Sequence, residues 1–326
     1  MTRSTICAAA CAMAILSLLL ARPAWAGVYD DFNDGDAADG SPVTWIPLAW
    51  YPGTYDASTG DYRLIPPPGG AVDSFMASLN RDLSVADMSI RIQVRKETES
   101  PLFNEYVSIF ARINPVDATR PPGDYTGYEI RLRQDGEFRI SRQDAGTQNL
   151  LTSVFTPLDV TQQDVVLQFD LFGDSLSAWA WPADQPMPSA PLLSTEDFAY
   201  DAPGTIALAS TDGDADSVGI FRWVHISPDH VIRDGDATDD GRIDIDDLNA
   251  VRNHFGATGA ADGTLAGDTV PWDGQVNIDD LNAVRNNFGA GMAAVPEPGN
   301  LLAMVVGCAM LGSVNFRKRN CLESRT

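Results

Sequence analysis

Residues 127–142 read GYEIRLRQDGEFRISR, and residues 165–181 read VVLQFDLFGDSLSAWAW. In the first stretch Tyr128, Ile130 and Leu132 alternate with charged residues, Asp135 and Gly136 turn the chain, and Phe138 and Ile140 resume the alternation. In the second, Val165, Leu167, Phe169 and Leu171 lead to a turn at Gly173 and Asp174, and Leu176, Ala178 and Ala180 return. A period of two with an Asp-Gly or Gly-Asp turn marks antiparallel hairpins with one buried face. Met88, Ile90, Ile92 and Val94 alternate in the same way, Ile206 and Leu208 begin another strand, and 220–226 makes the last. No long helical period interrupts 27–228, a length sufficient for one substantial core. A mainly β, antiparallel two-sheet sandwich follows. Residues 62–70, with Pro66, Pro67 and Pro68, read as a rigid loop, and Trp179 and Trp181 as core or half-buried packing.

Beyond this domain, 229–291 contains one motif twice: DATDDGRIDIDDLNAVRNHFGA (236–257) and DTVPWDGQVNIDDLNAVRNNFGA (268–290). In the first copy Asp236, Thr238, Asp240, Arg242, Asp244 and Asp247 fall at positions 1, 3, 5, 7, 9 and 12 of a calcium loop. Gly241 stands at the sharp turn, and Arg242 contributes its backbone carbonyl. Thr238 is a weaker ligand than a carboxylate, with Asp239 beside it as a compensating oxygen. The second copy carries one extra residue, and Val270, Pro271 and Trp272 offer no side-chain oxygen. Asp268, Asp273, Asn277, Asp280 and the Gln275 carbonyl are its remaining donors. Carboxylates this close repel one another, so a cation such as Ca2+ is needed to order the segment. After each loop, Leu248, Val251 and Phe255, or Leu281, Val284 and Phe288, form an apolar stripe at helical spacing, ended by Gly256 or Gly289. Two such helices bury each other, and the apolar Ile243 suggests that the loops pair through a short strand.

The repeat resembles the type I dockerin, a duplicated calcium-loop and helix module that binds cohesin domains. By that resemblance Ile245 and Asp246, with Ile278 and Asp279, would choose the partner, giving two similar faces related by a pseudo-twofold axis. The partner is a cohesin-like protein or, alternatively, the module docks on its own chain.

Residues 1–26 combine Arg3, an apolar run and Ala24-Trp25-Ala26, which together form a secretory signal peptide. Residues 292–326 carry Pro296, Glu297 and Pro298, an apolar stretch at 301–316 of transmembrane character, and Arg317, Lys318 and Arg319. The tail resembles a PEP-CTERM sorting signal. The resemblance implies processing by an exosortase and delivery from the inner membrane to the cell surface or extracellular matrix. Two of the four cysteines lie in the leader and two in the tail, so the exported part carries no disulfide. A net charge of −23 argues against nucleic acid as a partner.

The segment 29–32, the two hairpins and the closing strand GIFRWVHIS (219–227) resemble concanavalin A-like, laminin G-like jelly rolls, in which the first and last strands pair. Asp31, Asn33, Asp34 and Asp36 read as an acidic turn, with a structural calcium as the alternative. Trp45, Trp50, Tyr51 and Tyr55 are the candidate glycan-stacking residues, with packing as the alternative. Glycosidases of this fold carry paired carboxylates on one strand, and no such run occurs here. Glu129 is flanked by Arg131 and Arg133, and the histidines are scattered. The reading is therefore a non-catalytic, exported protein with a glycan- or matrix-binding jelly roll and a calcium-dependent interaction module. The alternative is a glycoside hydrolase acting on extracellular polysaccharide, displayed through that module.

Overall fold

The computed structural model describes residues 27–291 except 50–52, 68–73, 98–104, 116, 120–123, 213–216, 229, 262 and 270–271. The expected signal peptide, the Pro296–Glu297–Pro298 motif and the apolar tail lie outside the described residues. Among the described residues no helix is long and apolar enough to cross a membrane.

Alternating side chains build two antiparallel sheets. One contains, in order, β13 (Leu193–Glu196), β12 (Ser175–Pro182), β11 (Val165–Phe172), β6 (Met88–Lys96), β15 (Gly219–Pro228), β4 (Tyr62–Ile65) and β3 (Thr54–Asp56). The eighth strand, β1 (Val28–Asp30), pairs with β15 from Val28↔Ile226 to Asp30↔Val224, so first and last strands meet as expected. The other sheet runs β10 (Thr147–Phe155), β9 (Glu137–Asp144), β8 (Thr126–Arg133), β7 (Tyr106–Asn114), β14 (Thr205–Asp212), β5 (Ser74–Asn80) and β2 (Trp45–Pro47). The facing surfaces interlock in one core that includes Ile90, Ile92, Ile109, Ile130, Phe138, Phe169, Leu208 and Val224.

Residues 62–65 are not loop. They form β4, with Tyr62 buried and its hydroxyl 2.7 Å from Ser78 Oγ. Trp179 and Trp181 do not enter the core, because Leu176, Ala178 and Ala180 occupy the inward positions of β12. Trp181 is instead buried on the outer face, with the Arg91 guanidinium 5.4 Å from its ring centre.

Helices α1 (Ile245–His254) and α2 (Ile278–Asn287) follow, each opened by a reciprocal capping box. Asp244 and Asn277 are the N-caps, and Asp247 and Asp280 return to the cap backbone, satisfying amides that a helix start leaves unpaired. Val251 and Val284 bury together with Ile243 and Val276. Phe255 and Phe288 do not join them. They are 56% and 52% exposed, because each is the C-cap, where the backbone leaves the helix and carries the ring away. Nor do the loops pair with each other. Ile243 N donates to Ala290 O at 2.9 Å and Gly289 N to Ile243 O at 2.8 Å, while Val276 exchanges the matching bonds with Ala257 and Gly256. Each loop is thus tied to the end of the other copy's helix, which gives the module its internal twofold.

Candidate functional site

In the first loop the two carboxylates at its ends organise the backbone between them. Asp236 Oδ2 accepts from Gly241 N at 2.7 Å, and Asp247 Oδ1 accepts from Ala237 N, Thr238 N and Thr238 Oγ1 at 2.9–3.1 Å. Gly241 turns with φ +79°, and a Cβ there would meet the His230 side chain at 2.6 Å. Asp240 Oδ1 holds Arg242 N and Asp244 Oδ1 holds Asp246 N. Asp239 does not supplement Thr238. Its backbone lies at φ +53°, and its side chain leaves the loop for His230 and Gly27 N.

The second loop repeats this arrangement despite its extra residue. Asp268 Oδ2 accepts from Gly274 N at 2.9 Å, Asp280 Oδ1 from Thr269 N at 2.8 Å, and Asp280 Oδ2 from Asn277 N at 2.8 Å. Asp273 Oδ1 holds Gln275 N, and Asn277 Oδ1 holds Asp279 N. Asp268 Oδ1 is buried without a hydrogen-bond partner. Burial pushes Asp236 and Asp268 up to about 6, and the negative charges of Asp247 and Asp280 push the same way. An orphaned buried carboxylate oxygen and two strained acids are the donor set a hard dication fits.

The insertion has its own role. Trp272 is 8% exposed, and its ring packs edge-on against Tyr29, 4.5 Å between centres, and tilted by 50° against His225, 4.3 Å between centres. Arg91 on β6 donates to Asp234 Oδ1 at 2.6 Å and to Ile232 O at 3.2 Å. Ile232, Asp234 and Trp272 therefore rest on the outer face of the eight-stranded sheet at β1, β6 and β15. Ile245, Asp246, Ile278 and Asp279 take no part in this docking, and the two isoleucines are 53% and 54% exposed.

Of the aromatic candidates, Trp45 cannot stack on a ligand. It is 0% exposed, and its Nε1 donates to Asp30 Oδ2 at 2.9 Å. The indole is drawn inward because it packs toward Phe32 and satisfies a buried carboxylate. Tyr55 is half-buried against the core, and Trp50 and Tyr51 lie outside the described residues. Asp31, Asp34 and Asp36 each hold a backbone amide two residues on, as in an ordinary acidic turn.

A cavity of about 400 Å³ lies instead on the outer face of the seven-stranded sheet. Phe75, Tyr106, Phe110 and Tyr125 supply aromatic walls, and Glu129, Gln143 and Gln148 supply polar atoms. Gln143 Nε2 donates to Glu129 Oε2 at 2.9 Å, Gln148 Nε2 reaches the same oxygen, and Glu129 Oε1 has no partner. Burial raises the Glu129 pKa, while Arg131 and Arg139 oppose that shift. The Arg131 guanidinium lies 4.5 Å from the centre of the Tyr106 ring. Among the lining residues Glu129 is the sole carboxylate. The sequence signal for this face was β7, YVSIFARIN, whose apolar residues point to both sides of the sheet.

No family model matches the chain, and no curated protein matches it. Among solved structures, the metal-free exoplasmic/lumenal domain of VIP36 is similar at TM-score 0.48 and 9% identity, over 62% of this chain and 91% of that one. The potassium-bound carbohydrate recognition domain of Emp46p gives 0.42 and 12%, over 56% and 87%. The β-glucanase of Bacillus licheniformis gives 0.44 and 13%, over 62% and 98%. Likenesses this distant carry no argument about what this chain binds.

Proposed function

We propose that this chain is an exported, non-catalytic surface or matrix protein whose sandwich binds a glycan in the outer groove of the seven-stranded sheet. The observation that carries the reading is the groove itself. Sugar rings offer apolar C–H faces and hydroxyl rims, and the groove sets aromatic walls beside two amides and a carboxyl. The repeat module takes up Ca2+ through Asp236, Thr238, Asp240, Asp244, Asp247 and the Arg242 carbonyl. The second loop does so through Asp268, Asp273, Asn277, Asp280 and the Gln275 carbonyl. The partnerless Asp268 Oδ1 supports this. Exposed Ile245, Ile278, Phe255 and Phe288 support two matching faces on this dockerin-like module for a cohesin-like partner. The leader and an exosortase-processed tail would deliver the protein outside the cell.

Hydrolysis of polysaccharide remains the second reading, favoured by one observation, the buried Glu129 carboxyl held toward its protonated form. Two-carboxylate hydrolysis requires a partner about 5–9.5 Å away, and the groove lining supplies none. The deciding experiment incubates the purified protein, with Ca2+, on a panel of bacterial and plant polysaccharides. Retention without released reducing sugar supports the binding reading. Sugar release that is lost in Glu129→Gln would replace it with the hydrolase.

A further inference from the structure

Where β15 meets the first loop, three side chains from separate segments converge. His225 projects from β15, His230 lies just past its end, and Asp239 leaves the loop to reach them. Asp239 Oδ1 is 3.1 Å from His230 Nε2 and 3.9 Å from His225 Nε2. Asp239 Oδ2 is held by Gly27 N at 2.9 Å, which turns the other oxygen toward the imidazoles. Gly27 is small for a reason: a Cβ there would stand 2.4 Å from Asp239 Oδ2 and 3.0 Å from His225 Nε2.

His225 is the independent clue. It is 1% exposed, and neither of its ring nitrogens has a hydrogen-bond partner. A neutral imidazole has one donor and one acceptor, so both are buried unsatisfied, a costly arrangement unless something binds there. Each of the other two histidines has a partner at one ring nitrogen, His230 Nε2 with Asp239 and with Ser227 Oγ at 2.5 Å, and His254 Nδ1 with Ala250 O.

We propose that His225, His230 and Asp239 form a site for a borderline transition-metal ion of the Zn2+ class, which rivets the calcium module to the closing strand of the sandwich. Metal–ligand bonds of about 2.0–2.2 Å at tetrahedral angles place donors about 3.4 Å apart. Asp239 Oδ1 stands 3.1 Å from one imidazole nitrogen and 3.9 Å from the other, on either side of that value. Two imidazole nitrogens select Zn2+ over Ca2+, which prefers oxygen throughout. The ion takes His230 Nε2 from Ser227, and water completes the fourth position. Gly27 N acts as the partner that orients the ligating carboxylate. Asp236 also approaches His230 and Asp239, with one oxygen within 4.8 Å of both donor atoms. Its oxygens already hold the Asp240 and Gly241 amides, so it stays with the calcium loop. The site shares the backbone of the first loop through Asp239 but uses none of the calcium donors assigned to either loop.

The test titrates the full chain with Zn2+ by calorimetry in saturating Ca2+, and with Co2+ for its absorption bands. One equivalent is expected, with tetrahedral Co2+ bands and a change in Trp272 fluorescence. His230→Gln and His225→Ala should each weaken binding about 100-fold, while His254→Ala leaves it unchanged. His230 is half-buried, so its variant reports even if His225→Ala does not fold, and circular dichroism identifies that case. Absence of micromolar Zn2+ binding by the wild type, or full binding by His230→Gln, overturns the site. Calcium titration of the same samples reads the loops separately, so failure of either assignment is visible without the other.

Discussion

Single residues show how a side chain's chemistry overrides its type. Trp45 has the ring of a sugar platform, yet it fills the core and caps Asp30. Trp45→Ala should therefore cost about 3–5 kcal/mol of sandwich stability in urea unfolding. A loss under about 1 kcal/mol would mean that the ring is dispensable to the core. The loop acids give a pH dependence. Asp236 and Asp268 are raised from 3.8 to about 6, so the folded, cation-free module holds protons that the unfolded chain releases. Their contribution to cation-free stability is complete below 3.8 and is lost as pH rises through about 6. Calcium needs the ionised form, so its affinity runs the other way. It should be about tenfold weaker per loop at pH 5 than at pH 7. Equal affinities at the two pH values, measured by calcium titration, would show that these acids are not ligands.

At the scale of elements, the twofold of the repeat separates burial from exposure. Val251 and Val284 are 0% exposed, while the C-capping phenylalanines of the same stripe face solvent. Val251→Ala should cost about 2 kcal/mol in the calcium-loaded module, followed by helical circular dichroism. Phe255→Ser should change stability by no more than about 0.5 kcal/mol. The reverse order would refute the packing described. This difference also measures what the sequence discloses. Strict alternation made β6, β8, β9, β11 and β12 readable, because each buries one face in a common core. β7 escaped because Val107 and Ile109 line that core while Tyr106 and Phe110 line the groove, leaving no clean period. β10 escaped as a largely exposed edge strand. The loop acids were legible from spacing, since backbone geometry places them. Asp239 was not, since its left-handed φ redirects the side chain to residues distant in sequence.

Over the whole molecule, the two sheets present different outer faces. On that of the eight-stranded sheet the repeat module rests through Asp234 on Arg91 and through Trp272 on Tyr29. That of the seven-stranded sheet carries the groove. Docking on its own chain therefore leaves both the groove and the helix ends available. Trp272→Ala should free the module, speeding proteolysis between 228 and 236 while leaving the melting temperature of the sandwich unchanged. Protection equal to wild type would mean that the ring does not hold the interface. The groove of the seven-stranded sheet is the proposed glycan site. The most direct test compares polysaccharide affinity of wild type and Gln148→Ala, whose edge-strand position spares the core. At least a tenfold loss with an unchanged melting temperature is predicted, the cost of about one hydrogen bond to sugar. Unaltered affinity in Gln148→Ala and in a Tyr106→Ala companion would place the ligand elsewhere and contradict the account.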